Sequence, residues 1–296
     1  MCATCGCSAD AGPRIIDLDS GQVTVVHGEH HHAHSNAHGH HAHVHVHGPG
    51  HEHQHHDDHQ HEHSHHPDAH HTDQTSRTLR LEQDILAKNN RLAERNRGWL
   101  AGRGIVACNL MSSPGAGKTT LLERTIRDLG NEFALSVIEG DQETVHDAER
   151  IRATGCRVVQ INTGSGCHLD AEMLAQGLRT LAPPLSSLLM IENVGNLVCP
   201  ALFDLGEHAK VVIMSVTEGE DKPLKYPHMF RAGQVLVLNK VDLLPYVQFD
   251  TERCMTYAHQ VNPHLRVFQV SATRGDGLNA WYAWLREQRA SGVAEG

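Results

Sequence analysis

The stretch Asn109-Leu110-Met111-Ser112-Ser113-Pro114-Gly115-Ala116-Gly117-Lys118-Thr119-Thr120 decides the fold. An apolar run, Ile105 to Met111, leads into it and reads as a short buried strand. Leu121-Leu122-Glu123-Arg124-Thr125-Ile126 follows with helical apolar spacing. Strand, glycine-rich loop, Gly-Lys-Thr and helix, in that order, are the setting of a phosphate-binding loop. Gly115 and Gly117 let the N–H groups of the loop, from Gly115 and Ala116 to Thr120, turn inward around phosphate oxygens, and the helix N-terminus adds favourable dipole charge. Lys118 would reach the terminal phosphates, and the Thr119 hydroxyl would hold Mg²⁺. The first position of the usual pattern is Ser112 where glycine is common. The stretch predicts a nucleotide site.

The chain around this loop is uneven. Of its 28 histidines, 22 lie between His27 and His71, where almost no aliphatic residue interrupts them. Such a segment cannot bury a core, so residues 27–71 are expected to be a disordered metal-binding tract. Residues 1–26 are expected to be a cysteine metal motif with a linker, 72–104 a linker and helix, and 105–290 one α/β domain of ordinary size. The formal charge of −10, with histidine neutral, argues against nucleic acid as a partner. The tract would turn cationic below about pH 6, where imidazole titrates. No basic-plus-apolar leader opens the chain, and no apolar run approaches the ~18 residues that span a bilayer. A cytoplasmic protein without a membrane partner is expected. Its eight cysteines are then reduced thiols, and clustered ones read as metal ligands before disulfides.

The chain opens with such a cluster, Cys2, Cys5 and Cys7. Three thiols and the terminal amine can supply four soft donors, suiting Zn²⁺ in tetrahedral or Ni²⁺ in square-planar geometry. The competing reading, a redox Cys-x-x-Cys, needs a helix N-terminus in a thioredoxin-like unit. The imidazoles of the tract suit nickel, copper and zinc; a purification tag would be shorter and more uniform. Val23-Thr24-Val25-Val26 is strand-like but too little to fold alone.

From Thr78 to Leu100 the pattern is helical, with Leu79, Ile85, Leu86, Leu92, Trp99 and Leu100 among charged residues. Beyond the phosphate loop, strands are expected at 133–138, 157–161, 188–191, 210–216, 235–238 and 266–270. Helices are expected at 143–154, 169–181, 251–260 and 278–289. Continuous apolar strands alternating with amphipathic helices predict a mostly parallel sheet covered on both faces. Ligands of such sheets bind beyond the strand C-termini.

Polar motifs stand at those strand ends. Asn239-Lys240-Val241-Asp242 has the Asn-Lys-x-Asp form that recognises guanine, the aspartate accepting from the ring N–H and the amine. It lies about 120 residues beyond the phosphate loop. Ser271-Ala272, after the next strand, would meet the guanine carbonyl. In Glu192-Asn193-Val194-Gly195 the carboxylate would reach Mg²⁺, and the Gly195 N–H the γ-phosphate. Asp141 is the other candidate for the Mg²⁺ shell, or else a solvated strand-end acid. Cys167, His168 and Cys199 offer two thiolates and an imidazole, a transition-metal set, although Cys199 taken singly could be a buried thiol without a role. Cys108, Cys156 and Cys254 read as core thiols.

Cys2-Ala3-Thr4-Cys5-Gly6-Cys7, the loop from Ser112 to Thr120, Gly166-Cys167-His168-Leu169-Asp170, Glu192-Asn193-Val194-Gly195-Asn196-Leu197-Val198-Cys199-Pro200 and Asn239-Lys240-Val241-Asp242-Leu243-Leu244-Pro245-Tyr246 together resemble the HypB family. HypB proteins are GTPases that insert nickel during NiFe-hydrogenase maturation. The resemblance covers roughly residues 78–288 and the first seven. It implies a P-loop GTPase fold, a GTP-dependent homodimer and Mg²⁺-dependent hydrolysis of GTP to GDP. It further implies a metal site near the dimer interface at Cys167, His168 and Cys199, and a nickel site at Cys2, Cys5 and Cys7. The implied partners are a HypA-like nickel metallochaperone and the precursor of the hydrogenase large subunit. Ser112 and Glu192 are typical of that family, and the histidine tract, present in some members, implies nickel storage.

Two other readings stand beside this one. A nickel store with a minor GTPase role would not need Lys118, Thr119 and Asp242 together. The urease-type nickel GTPases, UreG, share Glu-x-x-Gly but carry Cys-Pro-His at the metal motif, whereas Cys167 and His168 are adjacent. Storage and insertion separate by deletion. Removing residues 27–71 should sharply lower the nickel bound per chain, leave GTP hydrolysis near normal, and impair hydrogenase maturation only when nickel is scarce. Failure of maturation at high nickel would show that the tract is needed for delivery.

Overall fold

The computed structural model describes residues 13–26, 69–142, 144–164 and 166–295; Cys2, Cys5, Cys7 and the tract from His27 to residue 68 lie outside the described residues. The chain divides into two units, Gly28–Glu82 and the remainder. In the first, the described part is the opening of helix α1 (Ala69–Ala101), which continues into the second. The helix therefore starts earlier than Thr78, and takes in the residues from 72 expected as linker ahead of it.

The larger unit begins with strands β1 (Arg14–Asp17) and β2 (Val23–Val25). After α1 come β3 (Val106–Ser112), α2 (Lys118–Leu129), β4 (Leu135–Asp141), α3 (His146–Arg152), β5 (Arg157–Asn162), α4 (Ala171–Leu181) and β6 (Leu188–Glu192). The short α5 (Cys199–Leu202), β7 (Ala209–Ser215), α6 (Lys222–Lys225), α7 (Pro227–Ala232) and β8 (Val235–Asn239) follow. A 3-10 turn (Val241–Tyr246), α8 (Thr251–Val261), β9 (Arg266–Gln269) and α9 (Leu278–Glu295) complete it. The strands form one sheet in the order β2-β1-β5-β4-β6-β3-β7-β8-β9. From β5 to β9 every pairing is parallel.

The linker expected over 1–26 is corrected for residues 13–26, which form a hairpin on the sheet edge. β1 runs antiparallel to both β2 and β5, with Arg14 opposite Asn162 and Asp17 opposite Val159. The pattern is hard to see in the sequence because the strands are short and their anchors are Ile15, 1% exposed, and Val26 just beyond β2. Such a pair becomes stable only on a sheet that already exists.

β3 is buried throughout, as a central parallel strand covered on both faces must be. Alternate side chains serve opposite layers. Val106, Cys108 and Leu110 pack with Leu121, Leu122 and Ile126 of α2 and with Trp281 and Leu285 of α9. Ala107, with Ile138, Leu189 and Ile191, packs against Leu174 and Leu178 of α4 and Leu100 of α1. Met111 joins Val212, Leu236 and Cys254 under α7 and α8. Trp281, fully buried, donates Nε1 to Thr125 Oγ1 at 3.0 Å, tying α9 to α2.

Helix α1 docks by an unexpected face. Ile85 is 48% exposed, while the buried stripe runs Asn89, Ala93, Asn96 and Leu100. Apolar spacing missed it because half of it is asparagine. With the parallel strands in register, Ser112, Asp141, Glu192, Ser215 and Asn239 end along one edge of the sheet, which fixes where chemistry can occur.

Candidate nucleotide and metal site

The phosphate loop leaves β3 and re-enters regular structure at Lys118, with Gly115 at φ +76° and Gly117 at φ +89°. Space as well as φ demands glycine at 117: a Cβ there would lie 2.5 Å from Asn239 Nδ2. The loop floors a cleft of about 520 Å³ that also takes in Asp141, Glu192, Gly195 and Lys240.

Glu192, 1% exposed, is the meeting point of the loop residues. Its Oε1 accepts from Thr119 Oγ1 at 2.6 Å and lies 3.1 Å from Lys118 Nζ. Its Oε2 is buried without a hydrogen-bond partner. A cation beside Thr119 would satisfy that oxygen, so Thr119 and Glu192 fit an Mg²⁺ shell. Asp141 reaches the cleft edge, but its Oδ2 accepts from Thr144 N at 2.8 Å and Thr144 Oγ1 at 2.6 Å, holding the turn into α3. Gly195 lies against the loop, since a Cβ on it would stand 3.2 Å from Pro114 Cγ.

On the base side, Asn239 ties two loops together. Its Nδ2 donates to Ala116 O at 3.0 Å and its Oδ1 accepts from Ala272 N at 3.1 Å. Lys240, at φ +61°, donates Nζ to Gly115 O at 2.7 Å. Ser271 is fully buried, its Oγ 3.2 Å from Thr273 Oγ1 and accepting from Arg274 N at 3.1 Å. Asp242 Oδ1 is buried without a hydrogen-bond partner. Burying an unpaired carboxylate oxygen is unfavourable unless a ligand donates to it, and guanine offers two adjacent donors.

Cys167, His168 and Cys199 converge although 32 residues separate the thiols. The Sγ atoms are 3.0 Å apart, His168 Nδ1 is 3.5 Å from Cys167 Sγ, and the three donor atoms lie within 4.8 Å of one another. Burial pushes the His168 imidazole down to about 4, so it is neutral and able to ligate. Its ring packs on Phe203 with centroids 3.9 Å apart. Two thiols and a neutral imidazole at this spacing fit one soft divalent ion. The cluster is one residue from the nucleotide side of the molecule: Leu169 N donates to Asn193 Oδ1 at 3.1 Å, and Asn193 follows Glu192.

Sequence reasoning missed three polar residues. Glu139, 2% exposed, faces Glu192 across the β4–β6 register and keeps Oε2 without a partner. Burial first, then the carboxylates of Glu192 and Asp141, push its carboxyl up to about 9. Glu218 accepts from Ser113 Oγ at 2.5 Å and Ser215 N at 2.9 Å and pairs with Lys222, bracing the phosphate loop from β7. Asn193 is itself 1% exposed and donates Nδ2 to Asn109 Oδ1 at 3.2 Å. The available signal for all three was position, a polar side chain in or just beyond the C-terminal end of a strand.

Residues 106–269 match the family described as CobW/HypB/UreG, nucleotide-binding domain. The hydrogenase maturation factor HypB of Escherichia coli K12 is 57% identical over 215 residues, which cover 73% of this chain and 74% of that protein. The factor of the same name from Azotobacter vinelandii is 59% identical over 216 residues, 73% of this chain and 71% of that protein. The chain belongs to the HypB family. Among solved HypB structures, that of Archaeoglobus fulgidus superposes with a TM-score of 0.65 at 43% identity, covering 69% of this chain and 100% of that one. HypB from Helicobacter pylori in complex with nickel gives a TM-score of 0.65 at 35% identity, covering 70% and 97%. The chain thus has the P-loop GTPase fold of its relatives, and among the described residues no helix is long and apolar enough to cross a membrane.

The Glu139 carboxyl makes stability depend on pH. Its folded value, about 9, lies above the ordinary 4.5, so between them the folded state holds a proton that the unfolded chain has released. Stability contributed in this way is present at low pH and declines as pH rises through that window, by up to about 1.4 kcal/mol per pH unit. In protein free of nucleotide and Mg²⁺, Glu139→Gln should flatten the slope of unfolding free energy between pH 5 and pH 8. Equal slopes in both proteins would mean that Glu139 is ionised in the fold.

Proposed function

We propose that the chain binds GTP with Mg²⁺ in the cleft, hydrolyses it to GDP and phosphate, and uses the cycle to control nickel at Cys167, His168 and Cys199 for delivery to a NiFe-hydrogenase large subunit. The observation that carries this is the meeting of Lys118 and Thr119 on Glu192, seven residues before Cys199. Thr119 and Glu192 would hold Mg²⁺, with Asp141 at the cleft edge, and the ion would supply charge that neutralises the phosphates. With GTP present, Lys118 Nζ would turn to the terminal phosphates, and the N–H groups from Gly115 to Thr120 would cradle them. Gly195, already against Pro114, would offer its N–H to the γ-phosphate. Asp242 would accept from guanine, while Ser271 and Ala272 close the other edge of the base and Asn239 and Lys240 hold the phosphate loop to the base loop.

Nickel is the cargo in this reading, and Zn²⁺ competes for the same thiolates. The nickel named with the Helicobacter pylori relative and the hydrogenase role of the Escherichia coli one support it. Cys2, Cys5 and Cys7 would hold a second ion and the histidine tract a reserve. A GTP-dependent homodimer, a HypA-like metallochaperone as partner and a cytoplasmic location belong to the same proposal.

Asp242→Asn tests the base and Lys118→Ala the chemistry. Exchanging the acceptor for a donor should move preference from GTP toward xanthosine triphosphate, with a loss of ~1–3 kcal/mol or more in GTP affinity. Lys118→Ala should abolish release of phosphate from GTP while the fold persists by circular dichroism. Unchanged GTP affinity in the first variant, or undiminished hydrolysis in the second, would remove this function.

A further inference from the structure

The inward face of α1 carries two asparagines. Asparagine is a poor helix former, and its amide must find partners when buried, so two of them in one buried stripe need a physical reason. Asn89 and Asn96 stand seven residues, or about two turns, apart and are each 5% exposed. Both bridge the same two segments of chain. Asn89 Oδ1 accepts from Ala171 N at 2.9 Å, and its Nδ2 donates to Asp204 O at 2.7 Å. Asn96 Nδ2 donates to Ala171 O at 2.8 Å and to Leu205 O at 3.0 Å. Arg97 adds bonds to the Asp204 carboxylate at 2.6 Å and to Glu207 O at 2.9 Å. The fit under the helix is close: Gly206 is at φ +87°, and a Cβ on it would lie 2.3 Å from Ala93 O.

Those two segments carry the thiolate–imidazole cluster. Ala171 closes the loop of Cys167 and His168, where Asp170 caps α4 through Met173 N at 2.8 Å. Asp204 and Leu205 end the segment that starts at Cys199 and includes Phe203, on which His168 packs. The loops leave β5 and β6, and β4 lies between these strands in the sheet. Side-chain bridges therefore set the separation of Cys167 and His168 from Cys199. Asn193 supplies one on the nucleotide side; α1 supplies the others.

We propose that Asn89 and Asn96 are positioning residues of the Cys167–His168–Cys199 site, clamping its two halves at the spacing a single soft divalent ion needs. This rests on the reading of that cluster as a metal site. Groups that orient metal ligands typically contribute a factor of 10–100 to metal affinity. Linkage adds a second consequence: an ion that needs both halves in place stabilises the docked form of α1 by the same free energy with which docking favours the ion.

The test uses the full chain and reads the site by residue. Protection of Cys199 and Cys167 from iodoacetamide is followed by peptide mass spectrometry across buffered free Ni²⁺, in wild type, Asn96→Asp and Asn89→Ala. Half-protection should require about tenfold more Ni²⁺ or higher in each variant, with GDP affinity unchanged within about twofold. The double variant should lose less than the sum of the two, because both residues bridge the same segments. Ni²⁺ should also slow amide exchange in residues 89–100 of wild type. Trp281→Phe, in the core cluster of α2 and α9 rather than that of Leu169, controls for general loosening of the domain. Unshifted protection in both asparagine variants, or an equal shift in Trp281→Phe, would overturn the proposal. Cys167→Ala distinguishes the underlying reading: if Cys199 is protected there at wild-type Ni²⁺, the cluster is not the metal site and the clamp falls with it.

Discussion

Thr119 and Lys118 both reach one buried oxygen, Glu192 Oε1, and much of the cleft is arranged by that convergence. The sheet brings it about: β3 and β6 pair in parallel with Leu110 opposite Glu192, so the carboxylate emerges beside the start of α2. In a site excluded from water such contacts are strong, and an unsatisfied partner is correspondingly costly. Glu192 Oε2 is such a group, and Glu139 across the register is a carboxyl that holds its proton. The site is built to receive positive charge.

Two routes lead from Glu192 to the cluster of Cys167, His168 and Cys199. One is covalent, through Gly195, packed on Pro114, to Cys199; four residues of backbone span at most ~14 Å. The other is a hydrogen bond, from Asn193 Oδ1 to Leu169 N, the residue after His168. Under the proposed function, a phosphate that draws Gly195 or frees Lys118 from Glu192 would act on both halves of the cluster. Helix α1 grips those halves from the opposite side through Asn89 and Asn96. Asn193 and helix α1 thus both bridge the two halves of the cluster.

The parts legible in the sequence were those whose function demands a fixed local pattern. Gly115, Gly117, Lys118 and Thr119 must be adjacent to wrap a phosphate, and Asn239 to Asp242 must follow one strand to reach a base. The long apolar strands were legible for a similar reason, since a parallel sheet buried on both faces leaves no polar alternation. The hairpin of β1 and β2 was not, because only Ile15 and Val26 mark its buried side. Nor was the docking face of α1, where apolar spacing favoured Ile85 and polar Asn89 and Asn96 turned inward instead. Glu139 gave no sign either: a carboxyl inside a strand is buried or exposed according to its neighbours across the sheet, which the local sequence does not name. The thiols and imidazole of the cluster were nameable by chemistry as candidate donors, but their meeting across 32 residues is a property of the fold.

Coupling between nucleotide and metal is most directly measured as the affinity for Ni²⁺ at the Cys167 thiol in two complexes, one with GDP and one with a non-hydrolysable GTP analogue. If Gly195 meets the γ-phosphate as proposed, Cys199 follows it on the same segment, so the two affinities should differ, and nucleotide affinity should change with Ni²⁺ by the same factor. In Cys199→Ala the difference should vanish. Equal Ni²⁺ affinity in the GDP and GTP-analogue complexes of the wild-type protein would contradict the coupling and leave Cys199 outside the switch.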